Sequence, residues 1–265
     1  MEKRHTLMMT TDVLIIGCGI AGAAAALKLA QQPHHRIIVI TREPDAHESN
    51  TRWAQGGIIH LGPDDDADLL TNDILAAGAG ATLPEAARIL AEEGSPRLEH
   101  LLMHIAPVDF DRNTDGSLIY GKEAVHSRRR ILHVGDHTGQ SIMQALVAAM
   151  RRMPNIELIT NVTAVDLITY PHHSRDPLDT YQTVRCYGAY VFNRDRQTTH
   201  RIIAKSTILA TGGLGRIFRH TSNPVGARGD GLAMASRAGA RIINSEYIQF
   251  HPTTLAAPGA EGFLI

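Results

Sequence analysis

Gly17, Gly19 and Gly22 stand at the spacing G-x-G-x-x-G, and such a run can hold a pyrophosphate when a strand leads into it and a helix leaves it. In Gly17-Cys18-Gly19-Ile20-Ala21-Gly22 the first glycine permits a tight turn. The second lets the backbone approach the phosphates, and the third lets helix and strand pack closely. The anion would rest on the helix N-terminus, where unpaired N–H groups and the dipole favour negative charge. The acidic residue that usually closes the second strand and binds a ribose hydroxyl is missing. Thr41 and Arg42 stand there, with Glu43 just beyond. Arg42 would also suit a 2′-phosphate, so this loop alone leaves NADP open.

Other residues with chemical potential are ambiguous one at a time. Glu123 in a charged loop reads as a surface carboxylate, and Arg128, Arg129 and Arg130 as a solvated face. His251 before Pro252 reads as a satisfied core histidine, and Gln55-Gly56-Gly57 as a turn. Asp230, between Gly229 and Gly231, reads as the N-cap of a helix running to about Ala238, with Gly239 as its stop. Cys18 reads as a small residue in a tight loop. With only Cys186 besides, the sequence offers neither a disulfide framework nor a metal site, and a reducing, cytoplasmic setting is expected.

The elements that must position these residues follow from periodicity. Val13 to Ile16 and Arg36 to Ile40 are apolar runs of the kind found in parallel strands covered on both faces, with a helix from Ala21 to Ala30 between them. Pro84 to Glu93 and Pro96 to Met103 read as two short helices separated by Gly94. The stretch from Asp109 to Tyr120 reads as a hairpin or irregular loop, and Gln140 to Arg152 as an amphipathic helix. Strands are expected at Ile156 to Thr160, Ala164 to Thr169, Gln182 to Asn193, Arg201 to Ala204 and Ser206 to Ala210, with a surface loop from Tyr170 to Thr180. The expected fold is α/β: a Rossmann-like dinucleotide-binding domain with a central parallel sheet and an accessory antiparallel β element.

The 265 residues, 43% hydrophobic, can bury a substantial core. A formal net charge of −1 argues against a nucleic acid or an anionic membrane as partner, since both demand excess Lys and Arg. A small molecule is the expected partner. Among the fifteen histidines, His34, His35, His172, His173 and His200 sit among polar neighbours and read as surface residues. Lys3, Arg4 and His5 before an apolar stretch imitate a signal peptide. The glycine spacing and Lys28 favour a strand and helix instead.

Taken in order, several segments carry a resemblance. Asn50-Thr51-Arg52-Trp53-Ala54-Gln55-Gly56-Gly57 resembles the flavin-contacting loop of the succinate dehydrogenase and fumarate reductase flavoprotein superfamily. Ala210-Thr211-Gly212-Gly213, Thr221 to Pro224 leading to Gly229-Asp230-Gly231, and Gln249-Phe250-His251-Pro252-Thr253 match it too. The resemblance covers almost the whole chain and implies FAD. Its implied cofactor contacts are Gly17, Cys18, Gly19, Ile20, Ala21, Gly22, Arg42, Asn50, Thr51, Ala54, Gln55, Gly56, Gly57, Thr163, Ala164, Gly212, Gly213 and Asp230. A histidine that carries covalent flavin in the dehydrogenase branch aligns with Asn50, whose amide cannot form that bond. Noncovalent FAD is therefore implied.

Within the superfamily, Glu123-Ala124-Val125-His126-Ser127-Arg128-Arg129-Arg130-Ile131-Leu132-His133, continuing to Asp136, Thr138 and Gly139, resembles the block that marks the L-aspartate oxidase family. The resemblance implies oxidation of L-aspartate to iminoaspartate, with oxygen or fumarate reoxidising the flavin. Glu123 would meet the substrate ammonium and His251 one carboxylate. The product would feed quinolinate and so bacterial NAD synthesis, with quinolinate synthase as a partner. Residues 1–244 are expected to form the FAD-binding domain and 245–265 the start of a capping domain. The apolar end at Phe263, Leu264 and Ile265 suggests truncation just before the family's next motif, a Ser or Thr followed by Glu. These residues alone are then expected neither to oxidise aspartate usefully nor to hold FAD tightly. The alternatives are a noncatalytic FAD-binding remnant and a fumarate reductase or succinate dehydrogenase type of flavoprotein.

Overall fold

A computed structural model describes residues 8–123, 125–251, 253–255 and 257. In chain order its elements are β1 (Met8–Ile16), α1 (Ile20–Ala30), β2 (Ile37–Ile40), β3 (Ile58–Ile59), α2 (Ala67–Ala77), α3 (Pro84–Glu99), β4 (Tyr120–Gly121), β5 (Ile131–Leu132), α4 (Thr138–Arg152), β6 (Ile156–Ile159), β7 (Val162–Tyr170), β8 (Arg185–Asn193), β9 (Thr198–Leu209) and α5 (Asp230–Arg237). Thr51–Ala149 forms one compact unit, and the described residues on either side of it form another.

The larger unit is built on a six-stranded sheet in the order β6-β2-β1-β9-β8-β7. The first four strands are mutually parallel, and β8 and β7 extend the sheet in antiparallel fashion. Val13 to Ile16 and all of β2 are buried, which is why these strands read as unbroken apolar runs. α1 packs on β1 and β2, and one sheet face gathers Leu14, Ile16, Ile38, Ile40, Val191, Ile202 and Ala204 into a core with Met234 of α5. The α/β class with a mostly parallel sheet is thus as expected. Arg201 to Ala204 and Ser206 to Ala210 are not two strands. They belong to the single long β9, because each end has a different neighbour to pair with: both halves run parallel to β1, while its N-terminal half is also antiparallel to β8.

The smaller unit holds the three-stranded antiparallel sheet β3-β5-β4 and the helices α2 and α3. Pro84 to Met103 is not two helices parted at Gly94. α3 continues through Pro96 to Glu99 and then widens into a π turn at His100–Ile105. Ala87, Ala91, Ser95 and Leu98 form one buried stripe, and burying that stripe outweighs the single hydrogen bond that Pro96 cannot donate. α2 escaped the sequence reading, although its signal was present. The Asp66 carboxylate accepts from the Leu69 amide at 2.8 Å and caps the helix. Asp66→Ala is expected to lower stability by about 1 kcal/mol. A lower urea midpoint at unchanged slope would show it, and an unmoved midpoint would show the cap to be dispensable.

Candidate functional site

In the larger unit, the carboxyl ends of three adjacent strands, β2, β1 and β9, carry Arg42, the glycine loop and Ala210 to Gly213. Ligands of open α/β sheets bind at this edge. The Gly17 amide donates to the Ile40 carbonyl at 2.9 Å, and the Ala210 amide to the Ile16 carbonyl at 2.8 Å, so the three loops leave the sheet side by side. Gly17 sits at φ +114°, and a β-carbon there would lie 2.2 Å from the Ala210 carbonyl oxygen. A β-carbon on Gly22 would lie 2.0 Å from the Gly17 carbonyl oxygen. Both positions require glycine for the reasons the spacing suggested. Gly19 is the N-cap of α1, and no side chain caps that helix. Ile20 is its first residue, followed by Ala21.

Gly212, at φ +74°, and Gly213 face open space, where a β-carbon would meet nothing within 4 Å. The Gly213 carbonyl accepts from the Gly229 amide at 3.2 Å, which ties the loop after β9 to the start of α5. The cap of α5 is Gly229 in the left-handed conformation, not Asp230, which is the first helical residue. The carboxylate of Asp230 is turned instead to two guanidinium groups, Arg228 Nη2 at 3.0 Å and Arg42 Nη1 at 3.4 Å. Arg42 also pairs with Glu43, Nη2 to Oε1 at 2.6 Å. Two carboxylates thus engage Arg42, which leaves less of its charge for a 2′-phosphate than the sequence allowed.

An uncapped helix N-terminus, glycines that admit no β-carbon and an open glycine pair beside them fit the phosphates of a dinucleotide. Cys18 is 3% exposed, and burial pushes its thiol up to about 11, so it fills space as a neutral side chain. The Asn50 amide nitrogen donates to Asn223 Oδ1 at 3.1 Å. Thr163 and Ala164 lie in β7 opposite Phe192 and Val191 of β8. His251 is exposed rather than a core residue, with Nδ1 2.9 Å from the carbonyl oxygen of Thr253. Pro252, Ala256 and 258–265 of the expected capping segment lie outside the described residues.

In the smaller unit, Thr51, Ala54, Gln55, Gly56 and Gly57 run from a 3-10 turn at Asn50–Trp53 to the start of β3. The Gly56 carbonyl accepts from the hydroxyl of Thr138, which is 2% exposed, at 2.9 Å, and the Gly139 amide donates to the Ala54 carbonyl at 2.9 Å. The Glu123 carboxylate stands directly over this loop. A β-carbon on Gly56 would lie 2.6 Å from Glu123 Oε1. Glu123 itself is exposed, and Ala124 lies outside the described residues.

The arginines that follow divide. Arg128 and Arg129 are exposed, but Arg130 is wholly buried, against the expectation of a solvated face. Its Nε and Nη2 donate to the two oxygens of Asp65 at 2.6 and 2.7 Å, and Nη1 donates to Asp73 Oδ2 at 2.5 Å. No sequence signal marks one arginine of three as buried, because its partners come from α2 and from the loop before it. His60, 7% exposed, also escaped notice; its ring lies between Glu99 Oε1 at 2.8 Å and the Tyr120 hydroxyl at 3.0 Å. The five histidines expected at the surface are none of them buried. Among the described residues no group of three or more His, Cys, Asp or Glu is placed to hold a metal ion, and no helix is long and apolar enough to cross a membrane.

Residues 12–265 match the family model described as FAD binding domain. The chain is 41% identical over 258 residues to L-aspartate oxidase 1 of Ralstonia nicotianae, which covers 97% of this chain and 47% of the relative. It is 40% identical to L-aspartate oxidase of Pseudomonas aeruginosa, with 96% and 47% covered. The chain therefore spans about half the length of the curated relatives it matches. Among solved structures, the Mycobacterium smegmatis Sdh1 complex in its apo form superposes with a TM-score of 0.84 at 27% identity, over 97% of this chain and 44% of that one. An E. coli quinol fumarate reductase FrdA does so with the same TM-score at 25% identity, over 97% and 41%.

Proposed function

Since the chain belongs to the FAD-binding domain family of the succinate dehydrogenase and fumarate reductase flavoproteins, we propose that it binds FAD noncovalently and serves the oxidation of L-aspartate to iminoaspartate. The observation that carries the aspartate reading is the Glu123 carboxylate standing over Gly56, in the loop that resembles the family's flavin-contacting segment. A carboxylate there offers an ammonium group a charge-assisted partner that a simple dicarboxylate would not use. Identity of about 40% to aspartate oxidases, against 25% and 27% to the fumarate reductase and Sdh1 structures, supports the same choice.

FAD held here would supply the two-electron acceptor for the hydride leaving the substrate α-carbon, with oxygen or fumarate as the final acceptor. The residues proposed to hold it are Gly17 to Gly22, Arg42, Thr163, Ala164, Gly212, Gly213 and Asp230 in the larger unit. Asn50 to Gly57, apart from Arg52 and Trp53, complete the set. Glu123 pairs with the substrate ammonium and His251 with one carboxylate, each contact restricting how the substrate can lie. Residues 1–244 serve cofactor binding, and 245–265 begin a cap. The same reading puts the protein in the cytoplasm, at the entry to NAD synthesis through quinolinate, with quinolinate synthase as the consumer of its product.

The test uses protein expressed from the full coding sequence and loaded with FAD. Anaerobic L-aspartate should bleach the flavin absorbance. Glu123→Gln should raise the KM for L-aspartate roughly tenfold to a hundredfold, the worth of about 1.5–3 kcal/mol for a hydrogen bond to a charged group. Bleaching by succinate but not by aspartate would favour the fumarate reductase type. Flavin that neither substrate reduces would favour a noncatalytic remnant.

A further inference from the structure

The contacts that hold the Glu123 segment in place lie outside the residues assigned to cofactor or substrate. Lys122 to Arg129 lies in the loop between the paired strands β4 and β5, closed at its base by the Arg130 amide donating to the Gly121 carbonyl at 3.1 Å, and side-chain contacts add to that closure. They converge on Asp73 of α2. Its Oδ2 accepts from the Ser127 amide at 2.8 Å, the Ser127 hydroxyl at 2.9 Å and Arg130 Nη1 at 2.5 Å. Arg130 Nη1 also lies 3.2 Å from His126 Nδ1, and the His126 amide donates to the Glu123 carbonyl at 3.1 Å, tying His126 back to Glu123. Asp65, whose side chain is 1% exposed, holds the other edge of the guanidinium.

Burying a guanidinium is costly unless every charge is paired, and a buried pair is weak evidence for stability. Its better-attested use is to fix one arrangement among several. Burial pushes the Asp73 carboxyl up, but the Ser127 amide, the Arg130 guanidinium and the Ser127 hydroxyl together hold it below the usual carboxylate range. Asp73 is thus a fixed anion on a helix, gripping the chain four and seven residues beyond Glu123.

We propose that Asp73 is a positioning residue for ammonium recognition: by gripping Ser127 and Arg130 it sets where the Glu123 carboxylate stands over Gly56, and so sets the preference for an amino-dicarboxylate over a plain one. The proposal rests on the role given to Glu123 above. In FAD-loaded protein from the full coding sequence, Asp73→Asn is expected to raise the KM for L-aspartate about tenfold. The kcat and the inhibition constant of succinate, which has no ammonium, should stay within about twofold. Amides of Val125 to Arg129 should exchange with deuterium at least tenfold faster, while those of α1 keep their rates.

Glu123→Gln is run in parallel. If it leaves aspartate binding unchanged, the Glu123 reading fails. If it weakens aspartate while Asp73→Asn does not, the positioning role is overturned and the Glu123 reading stands. Equal weakening of aspartate and succinate by Asp73→Asn would also overturn it, as general loosening. Should Asp73→Asn fail to retain FAD, Ser127→Ala removes one donor and leaves the Arg130 clamp. A KM rise of roughly threefold for aspartate alone supports the proposal there, and none refutes it.

Discussion

In protein expressed from the full coding sequence, alanine at Gly22 is expected to abolish FAD retention. The new methyl group would lie 2.0 Å from the Gly17 carbonyl oxygen and 3.3 Å from the β-carbon of Ala210, so both the glycine turn and the strand beside it must move. Neither can move cheaply. Gly17 already holds φ +114°, and Ala210 is tied to β1 because its amide donates a hydrogen bond to the Ile16 carbonyl. Overpacking of this kind costs about 1–3 kcal/mol, and a misplaced α1 N-terminus would lose its alignment with the pyrophosphate. The measurement is the rise in thermal midpoint on adding FAD. The parent should show a rise, and the variant should show a midpoint several degrees lower that FAD no longer shifts. An unchanged FAD response would mean that Gly22 does not serve the cofactor.

Arg130→Ala should be the most damaging substitution in the smaller unit. Removing the guanidinium leaves the Asp65 carboxylate, 1% exposed, without the pair that offsets its burial, and leaves Asp73 with Ser127 alone among its present donors. Breaking a buried pair from one side costs about 3–5 kcal/mol, several times the expected loss at the Asp66 cap. Arg130→Met with Asp65→Leu and Asp73→Asn should recover much of that loss, because the uncompensated charges go with their partner. Urea unfolding of the two variants tests the account. If single and triple variants are equally unstable, packing rather than charge pairing holds this cluster together.

Substitutions at Gly22 and at Arg130 differ in how far the sequence foretold them. The glycine loop was legible because its requirements are local: a tight turn, an uncapped helix start and a close crossing are written into one run of six residues. The parallel strands were legible because burial on both faces writes itself into four consecutive letters, as at Val13 to Ile16. The long β9 and the unbroken α3 were not, since each is held together by neighbours whose identity no local window contains. α2 lay between. Asp66 and the leucines after it were readable, but an eleven-residue helix with only Leu70 and Thr71 buried has a weak pattern.

By itself the sequence determined the fold class, the dinucleotide loop and, through resemblance, the family and its cofactor. Those depend on spacing along the chain. Only the tertiary structure decided which of three consecutive arginines is buried, that Arg42 is engaged by Glu43 and Asp230, and that Glu123 stands over Gly56. Each joins residues tens of positions apart or more, apart from the Arg42 pair with its neighbour, and turns on which side chain faces a partner. Residue type and spacing leave that choice open, and for Arg130 it is made by the cost of leaving a charge buried without its counterpart.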